Sequence, residues 1–215
     1  YIQPYESFSY LLPYNFAIPA LVMGFIGCTL MTTQRVLARS QQLADQLQEL
    51  ATRDSLTCVL NRRAFHEHLL QEMARAQRYK TPLCLAMLDL DHFKRLNDSL
   101  GHLGGDHALQ QFAWHCHEHA RATDVFARFG GEEFVLLMPQ TTATEAQAVL
   151  QRLHDGICGQ PQHYQEQVYQ LRFSGGLAEL EPNDTPDSLL KRADQALYAA
   201  KAGGRNQIKL WSPNP

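Results

Sequence analysis

Hydrophobic and polar positions divide the chain into three unlike stretches. From Ser7 to Gln34 there is no Lys, Arg, Asp or Glu, and its heart reads NFAIPALVMGFIGCTLMTT. That matches the roughly 18 to 20 apolar residues a helix needs to cross a bilayer core. The next stretch, RVLARSQQLADQLQELATRD, is polar and lacks Gly and Pro. In it Val36, Ser40, Leu43, Leu47 and Leu50 alternate at spacings of four and three. This is the seam of a coiled coil only about two heptads long, or one face of a single amphipathic linker helix. From Asp54 onward the pattern becomes mixed α/β. LCLAMLDL (Leu83 to Leu90) predicts a buried strand, and GGDHALQQFAWHCHEHA has helical spacing through Leu109, Phe112, Ala113 and Cys116. Val125 to Phe129 and Phe134 to Met138 read as two strands joined by a hairpin at Gly130 to Glu133. TATEAQAVLQRLHDGI predicts a helix with a Thr cap, and VYQLRFSGGLAEL predicts one strand. TPDSLLKRADQALYAAKAGG predicts a helix capped at Gly203, and NQIKLW a last strand.

The flanks of the apolar run sharpen its reading. Tyr10, Tyr14 and Phe16 stand at one end, as an interfacial aromatic belt would, and Arg35 and Arg39 follow the other. Positive residues there place the C-terminal side in the cytoplasm. A cleaved signal would carry its basic residues before the apolar run. The expected organisation is a membrane segment over 1–34, a helical signalling stalk over 35–53 and a catalytic domain over 54–215. The chain begins at Tyr1 and not Met, which reads as a piece of a longer sensor protein.

Composition adds exclusions. A formal net charge of −3 gives no basic surplus of the kind a nucleic-acid binder shows. The five cysteines, Cys28, Cys58, Cys84, Cys116 and Cys158, are scattered without pairing spacing and read as reduced, consistent with a cytosolic domain.

The chemistry concentrates in RFGGEEFVLLMP, Arg128 to Pro139. Gly130 and Gly131 allow positive φ and clear the space above the turn. Glu132 and Glu133 then place two like charges side by side, which repel unless a cation joins them. A hard divalent ion takes oxygen ligands and shares them with substrate phosphates. Asp89 ends the buried strand, where an unpaired charge is costly unless it serves a metal. Lys94 follows at a strand-to-helix junction that favours anions, and Lys201 and Arg205 in KAGGRN add cations near the C-terminus. Acids for a metal plus distributed cations point to phosphoryl or nucleotidyl transfer on a nucleoside triphosphate.

These residues fall within four ordered motifs: RDSLTCVLNRRAF, LDLDHFKRLNDSLGHLGGDHAL, RATDVFARFGGEEFVLLMP and ADQALYAAKAGGRN. In order and spacing they resemble the GGDEF-domain diguanylate cyclases, from about Arg53 to Leu210. The resemblance implies a palm-like nucleotidyl-cyclase fold, with a central, mostly antiparallel sheet wrapped by helices. It implies condensation of two GTP into cyclic di-GMP and two pyrophosphates by a homodimer using Mg²⁺ or Mn²⁺. Position by position, Asp89, the carbonyl of Leu90, Glu132 and Glu133 resemble the metal ligands, with Glu132 or a water it orients as the base. Asn97 and Asp106 resemble the guanine-reading pair, His102 lies in the same loop, and Lys94, Lys201 and Arg205 match triphosphate contacts. RATD, with Arg121 and Asp124, has the spacing of the family's inhibitory site for cyclic di-GMP, and Arg152 matches its secondary arginine.

Other readings stand beside these. A degenerate module that only binds GTP or cyclic di-GMP would belong to the same family, but such members lose the signature acids, and here Asp89, Asn97, Asp106, Glu132, Glu133 and Lys201 are all present. A polymerase palm would need a basic template channel. HCHEH gives an incomplete metal set, because His115 and His117 point to different helix faces. Trp114 is expected in the core, Arg62 and Arg63 in contacts between stalk and domain, and Cys58, standing where the family has Gly, is expected to alter packing and not catalysis.

Overall fold

The computed structural model describes residues 21–41 and 52–213, which fall into two compact units divided between Glu49 and Leu50. The first contributes helix α1, Leu21–Gln41, with a mean hydropathy of 1.4 over its most apolar window and nothing buried against it. Leu21, Met23 and Phe25 are each at least 70% exposed, so the helix displays its apolar surface bare. The hydroxyls of Thr29 and Thr33 donate to carbonyls one turn earlier, Phe25 and Thr29, each at 2.7 Å. Such back-bonding satisfies these two hydroxyls within the helix, without water. The helix runs through the expected boundary at residue 34 without a break. The belt at Tyr10, Tyr14 and Phe16 and the seam at Leu43, Leu47 and Leu50 lie outside the described residues.

The second unit runs α2 (Arg62–Tyr79), β1 (Leu83–Leu90), α3 (Phe93–His119), β2 (Val125–Arg128), β3 (Glu133–Pro139), α4 (Ala143–Cys158), β4 (Pro161–Tyr164), β5 (Gln167–Gln170), β6 (Phe173–Glu179), α5 (Pro186–Ala202) and β7 (Ile208–Leu210). Five strands form one sheet in the order β2-β3-β1-β6-β7, antiparallel except for the β6–β7 pair. The mostly antiparallel sheet wrapped by helices is therefore as expected. β1 is buried along its whole length because helices cover both faces. Its alternating side chains divide cleanly, as the two-residue period requires. Cys84, Ala86, Leu88 and Leu90 join the core built on α3 and α4, whereas Leu83, Leu85 and Met87 join the core built on α2 and α5.

Two glycines and two caps set the helix positions. A Cβ at Gly176 would collide with the backbone of α5 at Ala193 and Leu197, so the bare β6 backbone lets α5 lie directly on the sheet. Thr142 and Thr185 both close capping boxes at the starts of α4 and α5. Gly203 ends α5 as expected, its N–H donating to the Ala199 carbonyl.

Several expectations need correction. The stretch VYQLRFSGGLAEL is two strands: β5 pairs with β4 in a separate hairpin, and only β6 enters the main sheet. Trp114 is 56% exposed, since Phe112, Ala113 and Cys116 already fill the core face of α3. Neither Gly130 nor Gly131 has positive φ; in this unit the glycines that do are Gly101 and Gly204. What Gly130 supplies is room, because a Cβ there would stand 2.5 Å from Glu133 Oε2.

Candidate active site

Strand register brings the acids together. Asp89 pairs with Glu133 across β1 and β3, and with Ser174 across β1 and β6. By parity Asp89 and Glu133 share the sheet face covered by α5, the face of Leu85, Met87, Val135 and Leu137. Glu132 sits at the turn, where its carbonyl accepts from the Leu90 N–H at 3.3 Å. Because α5 lies close on the sheet, its last turn carries Lys201 to the same point, Nζ standing 2.8 Å from Asp89 Oδ2. The Asp89 charge is thus paired within the chain, which the sequence reading did not foresee. Glu133 and Lys201 also line a groove of about 280 Å³ with Asp194, Gln195, Leu197 and Tyr198.

The electrostatics are those of a site with surplus negative charge. Asp89 is only 4% exposed, and its burial raises the carboxyl above the usual 3.8 despite Lys201. Burial also raises Glu132 above the usual 4.5, with further pushes from Asp89 and Glu133 against the pull of Lys201. Crowded carboxylates whose burial disfavours ionisation are the donor set a hard divalent cation relieves. Among the described residues no three acidic, histidine or cysteine groups already converge as a ligand shell. A metal would therefore be recruited in competition with Lys201.

The hairpin is held by residues the sequence reading passed over. Arg128 donates from Nε and Nη2 to the Gly131 carbonyl, at 3.1 and 2.7 Å, and from Nη1 to Asp54 Oδ1 at 2.9 Å. Asp54 also accepts from the N–H and hydroxyl of Thr57, at 2.9 and 2.7 Å. Its carboxyl is lowered overall, since these bonds and Arg128 outweigh the upward effect of burial. The turn opening the domain is thereby tied to the turn that carries Glu132. Arg62 lies over the Phe129 ring at 4.5 Å, just before Gly130. Asp91 anchors the other side. It accepts from Ser174 Oγ at 2.8 Å and from the Asn206 N–H at 2.8 Å, fastening the KAGGRN loop to the end of β1. The signal was the second aspartate of LDLD, but its partners lie 83 and 115 residues away.

The remaining residues fall in four other places. Lys94, Asn97 and His102 lie on α3 around a break at Gly101 (φ 75°), with Asp106 one turn further on. The missing Cβ of Gly105 leaves space filled by the Asn97 amide, so Asn97 stands beside the turn bearing Asp106. Arg205 follows α5 in a left-handed conformation, φ 63°. Arg121 and Asp124 form a tight turn before β2. The Arg121 N–H donates to Asp124 Oδ2 at 2.8 Å, and the Asp124 N–H to the Arg121 carbonyl at 2.9 Å. Burial raises the Asp124 carboxyl, and its Oδ1 is buried without a hydrogen-bond partner. Asp124 borders a cavity of about 750 Å³ that also contacts Arg53, Cys58, Arg75 and Trp114. Arg152 on α4 lines a different cavity, of about 300 Å³.

Known proteins resemble this chain in sequence and fold. The family profile described as diguanylate cyclase, GGDEF domain, matches residues 51–207. The diguanylate cyclase DgcP of Pseudomonas aeruginosa is 42% identical over 177 residues, covering 82% of this chain and 26% of that protein. The response regulator PleD of Caulobacter vibrioides is 38% identical over 167 residues, covering 76% of this chain and 37% of that protein. The chain thus spans roughly a quarter to just over a third of these relatives. The coiled coil and GGDEF domain of DgcB from Caulobacter crescentus, solved in complex with c-di-GMP, superposes with a TM-score of 0.82 at 31% identity. That match covers 86% of this chain and 98% of the other. The profile match over residues 51–207 and the 42% identity to a diguanylate cyclase show that the chain belongs to the diguanylate cyclase GGDEF-domain family.

Proposed function

We propose that the chain is a membrane-tethered catalytic domain that makes cyclic di-GMP. The carrying observation is the convergence of Asp89, Glu132, Glu133 and Lys201 at one end of the sheet. Two domains, each holding one GTP, face each other. The 3′-hydroxyl of each nucleotide attacks the α-phosphorus of the other, forming two phosphodiester bonds. Two phosphoanhydride bonds break, and two pyrophosphates and two protons leave.

Asp89, Glu132, Glu133 and the Leu90 carbonyl would hold Mg²⁺, which supplies charge neutralisation at the phosphates and a lower pKa for the attacking hydroxyl. The chain's own groups do the rest. Glu132, with its raised pKa, is suited to accept the hydroxyl proton directly or through a water. Lys201 exchanges its salt bridge with Asp89 for the triphosphate, so a cation is delivered where pyrophosphate leaves. Lys94 and Arg205 extend that contact. Asn97 and Asp106 read the guanine edge, the carboxylate accepting from N1 and N2. His102, expected in a loop, stands on α3 beside the break at Gly101 that separates them. Arg121 and Asp124, with Arg152 of a second domain, form the site through which cyclic di-GMP inhibits its own synthesis.

The bare apolar stretch of helix α1, with basic Arg35 and Arg39 in its last two turns, supports an inner-membrane anchor with the catalytic domain in the cytoplasm. The decisive experiment incubates the purified chain in detergent with GTP and Mg²⁺ and identifies products by mass spectrometry. Cyclic di-GMP and pyrophosphate are expected. Bound but unconverted GTP would establish the receptor reading in place of the enzyme.

A further inference from the structure

Helix α3 is two helices that meet at Gly101, where φ is 75°. Asn97 lies in the first and Asp106 in the second, so the angle at this joint sets the distance between them. A glycine in that conformation has no Cβ to favour one angle, and the angle must be imposed by packing. On one side, Gly105 leaves space for the Asn97 amide and for the Phe93 ring, 3.3 Å from the position of a Cβ. On the other, the ring of Tyr164 comes within 3.3 Å of the same position on Gly104.

Tyr164 belongs to the β4–β5 hairpin, which joins no other strand among the described residues. A two-stranded ribbon of this size is marginal alone and depends on what it packs against. Its aromatic residues are spent on the second half of α3. The His107 ring lies 5.2 Å from that of Tyr164, and His107 Nδ1 lies 3.1 Å from the Tyr169 hydroxyl. His107 directly follows Asp106, and Tyr169 is only 8% exposed, so this hydrogen bond is partly buried.

We propose that the β4–β5 hairpin is a brace for base selection. Tyr164, through Gly104, and Tyr169, through His107, are positioning residues that hold Asp106 at its working distance from Asn97. They thereby set the preference for guanine over a purine lacking the 2-amino group. This rests on the reading of Asn97 and Asp106 as the guanine-contacting pair. Selection through a hydrogen bond to one exocyclic amine fails when the acceptor drifts by even about 1 Å, because hydrogen-bond geometry is narrow.

The test titrates the detergent-solubilised chain with GTP and with inosine triphosphate at fixed Mg²⁺, then repeats the comparison in steady-state turnover. The parent is expected to prefer GTP by about tenfold or more, as for a hydrogen bond to a charged group. Tyr164→Ala should lose most of that preference by weakening GTP alone, raising KM more than it lowers kcat. Tyr164→Phe, which keeps the ring, should restore the parent ratio. Should Tyr164→Ala fail to fold, Tyr169→Phe carries the test. Loss of its one hydroxyl should lower the ratio about two- to fivefold. Equal weakening towards both nucleotides, an unchanged ratio, or a loss confined to kcat would show that the hairpin only supports the fold. A parent without any preference for GTP would overturn the guanine-pair reading itself, and that failure appears before any variant is made.

Discussion

Asp89 and Asp124 end up in opposite states although burial raises the pKa of both. Asp89 already holds a cation, Lys201, at 2.8 Å. Asp124 bonds only to backbone through Oδ2, and its Oδ1 is buried with no donor. A buried acceptor without a partner is costly, and an outside donor recovers that cost. Asp89 is thus poised for exchange of one cation for another. The acid of the RATD turn is poised to gain a partner. The first arrangement suits a metal that comes with its substrate, the second a purine base with free N–H groups.

The largest effect should follow from breaking the first arrangement. Glu132→Gln removes a metal charge and the proposed base together while keeping side-chain volume. Cyclic di-GMP formation should fall by hundreds-fold or more, with an unchanged circular dichroism spectrum. Substantial turnover in this variant would remove Glu132 from the mechanism. Asp124→Asn, by contrast, should leave the initial rate close to that of the parent.

Breaking the second arrangement should release feedback and spare the chemistry. Arg121→Ala removes a charged donor, costing on the order of 1.5 to 3 kcal/mol of cyclic di-GMP binding, or roughly tenfold to a hundredfold in affinity. The variant should continue past the product level at which the parent stalls. Inhibition of the parent should be non-competitive with GTP, since the turn lies outside the acid cluster. Superimposable inhibition curves for parent and variant would reduce RATD to a surface turn.

How much of this the sequence carried depends on the range of each interaction. Strand β1, the hairpin strands and the signature acids were legible because runs of alternating or continuous apolar residues and adjacent charges are local signals. Helix α2 was not, because its buried face is only Ala64, Phe65, Leu69, Met73 and Ala76 within a polar, basic segment. The β4–β5 hairpin was missed because PQHY carries no alternation of apolar residues, and Tyr169 is buried only by meeting α3. The Asp89–Lys201 pair and the Asp54–Arg128–Gly131 chain join residues far apart in sequence, and no spacing rule reaches across 112 or 74 positions (201 − 89; 128 − 54). Gly130 was read as a source of positive φ, whereas it serves by yielding volume to Glu133.

Metal and pH sharpen the contrast at a smaller scale. Because the folded-state pKa values of Asp89 and Glu132 are raised, the native protein binds their protons more tightly than the unfolded chain does. That stabilisation is present at acid pH and is lost as pH rises through the folded values, leaving crowded negative charge. A divalent cation offsets the loss only where the acids are ionised. Mg²⁺ at about a hundredfold above its dissociation constant should add about 2.7 kcal/mol of stability near pH 7, and much less near pH 4. Differential scanning fluorimetry would show a melting shift that grows with pH. Glu132→Gln should remove most of the shift, and Asp124→Asn, despite its own raised acid, should not. An equal loss in both variants would mean that the metal does not distinguish the two carboxylates.

The smallest effect concerns a residue between the two regions. Cys58 follows the turn in which Asp54 grips Arg128 and the hairpin, and it borders the cavity that Asp124 also lines. It has φ 60°, and its N–H donates to the Asp54 carbonyl at 2.9 Å, so the turn requires this left-handed conformation. An L-residue there costs roughly 1 to 2 kcal/mol relative to glycine, although glycine loses more backbone entropy on folding, by about 0.5 to 1 kcal/mol. Cys58→Gly should therefore stabilise the domain by up to about 1 kcal/mol, because the thiol is exposed and gives up little packing. Neither the initial rate nor the inhibition curve should change, since no contact to Glu132 or to Asp124 passes through the thiol. Urea unfolding with an unchanged m-value would measure the gain. A destabilised variant would show that the Cys58 side chain packs in the cavity more than its exposure suggests, and a changed inhibition curve would show that this turn transmits strain to the RATD site.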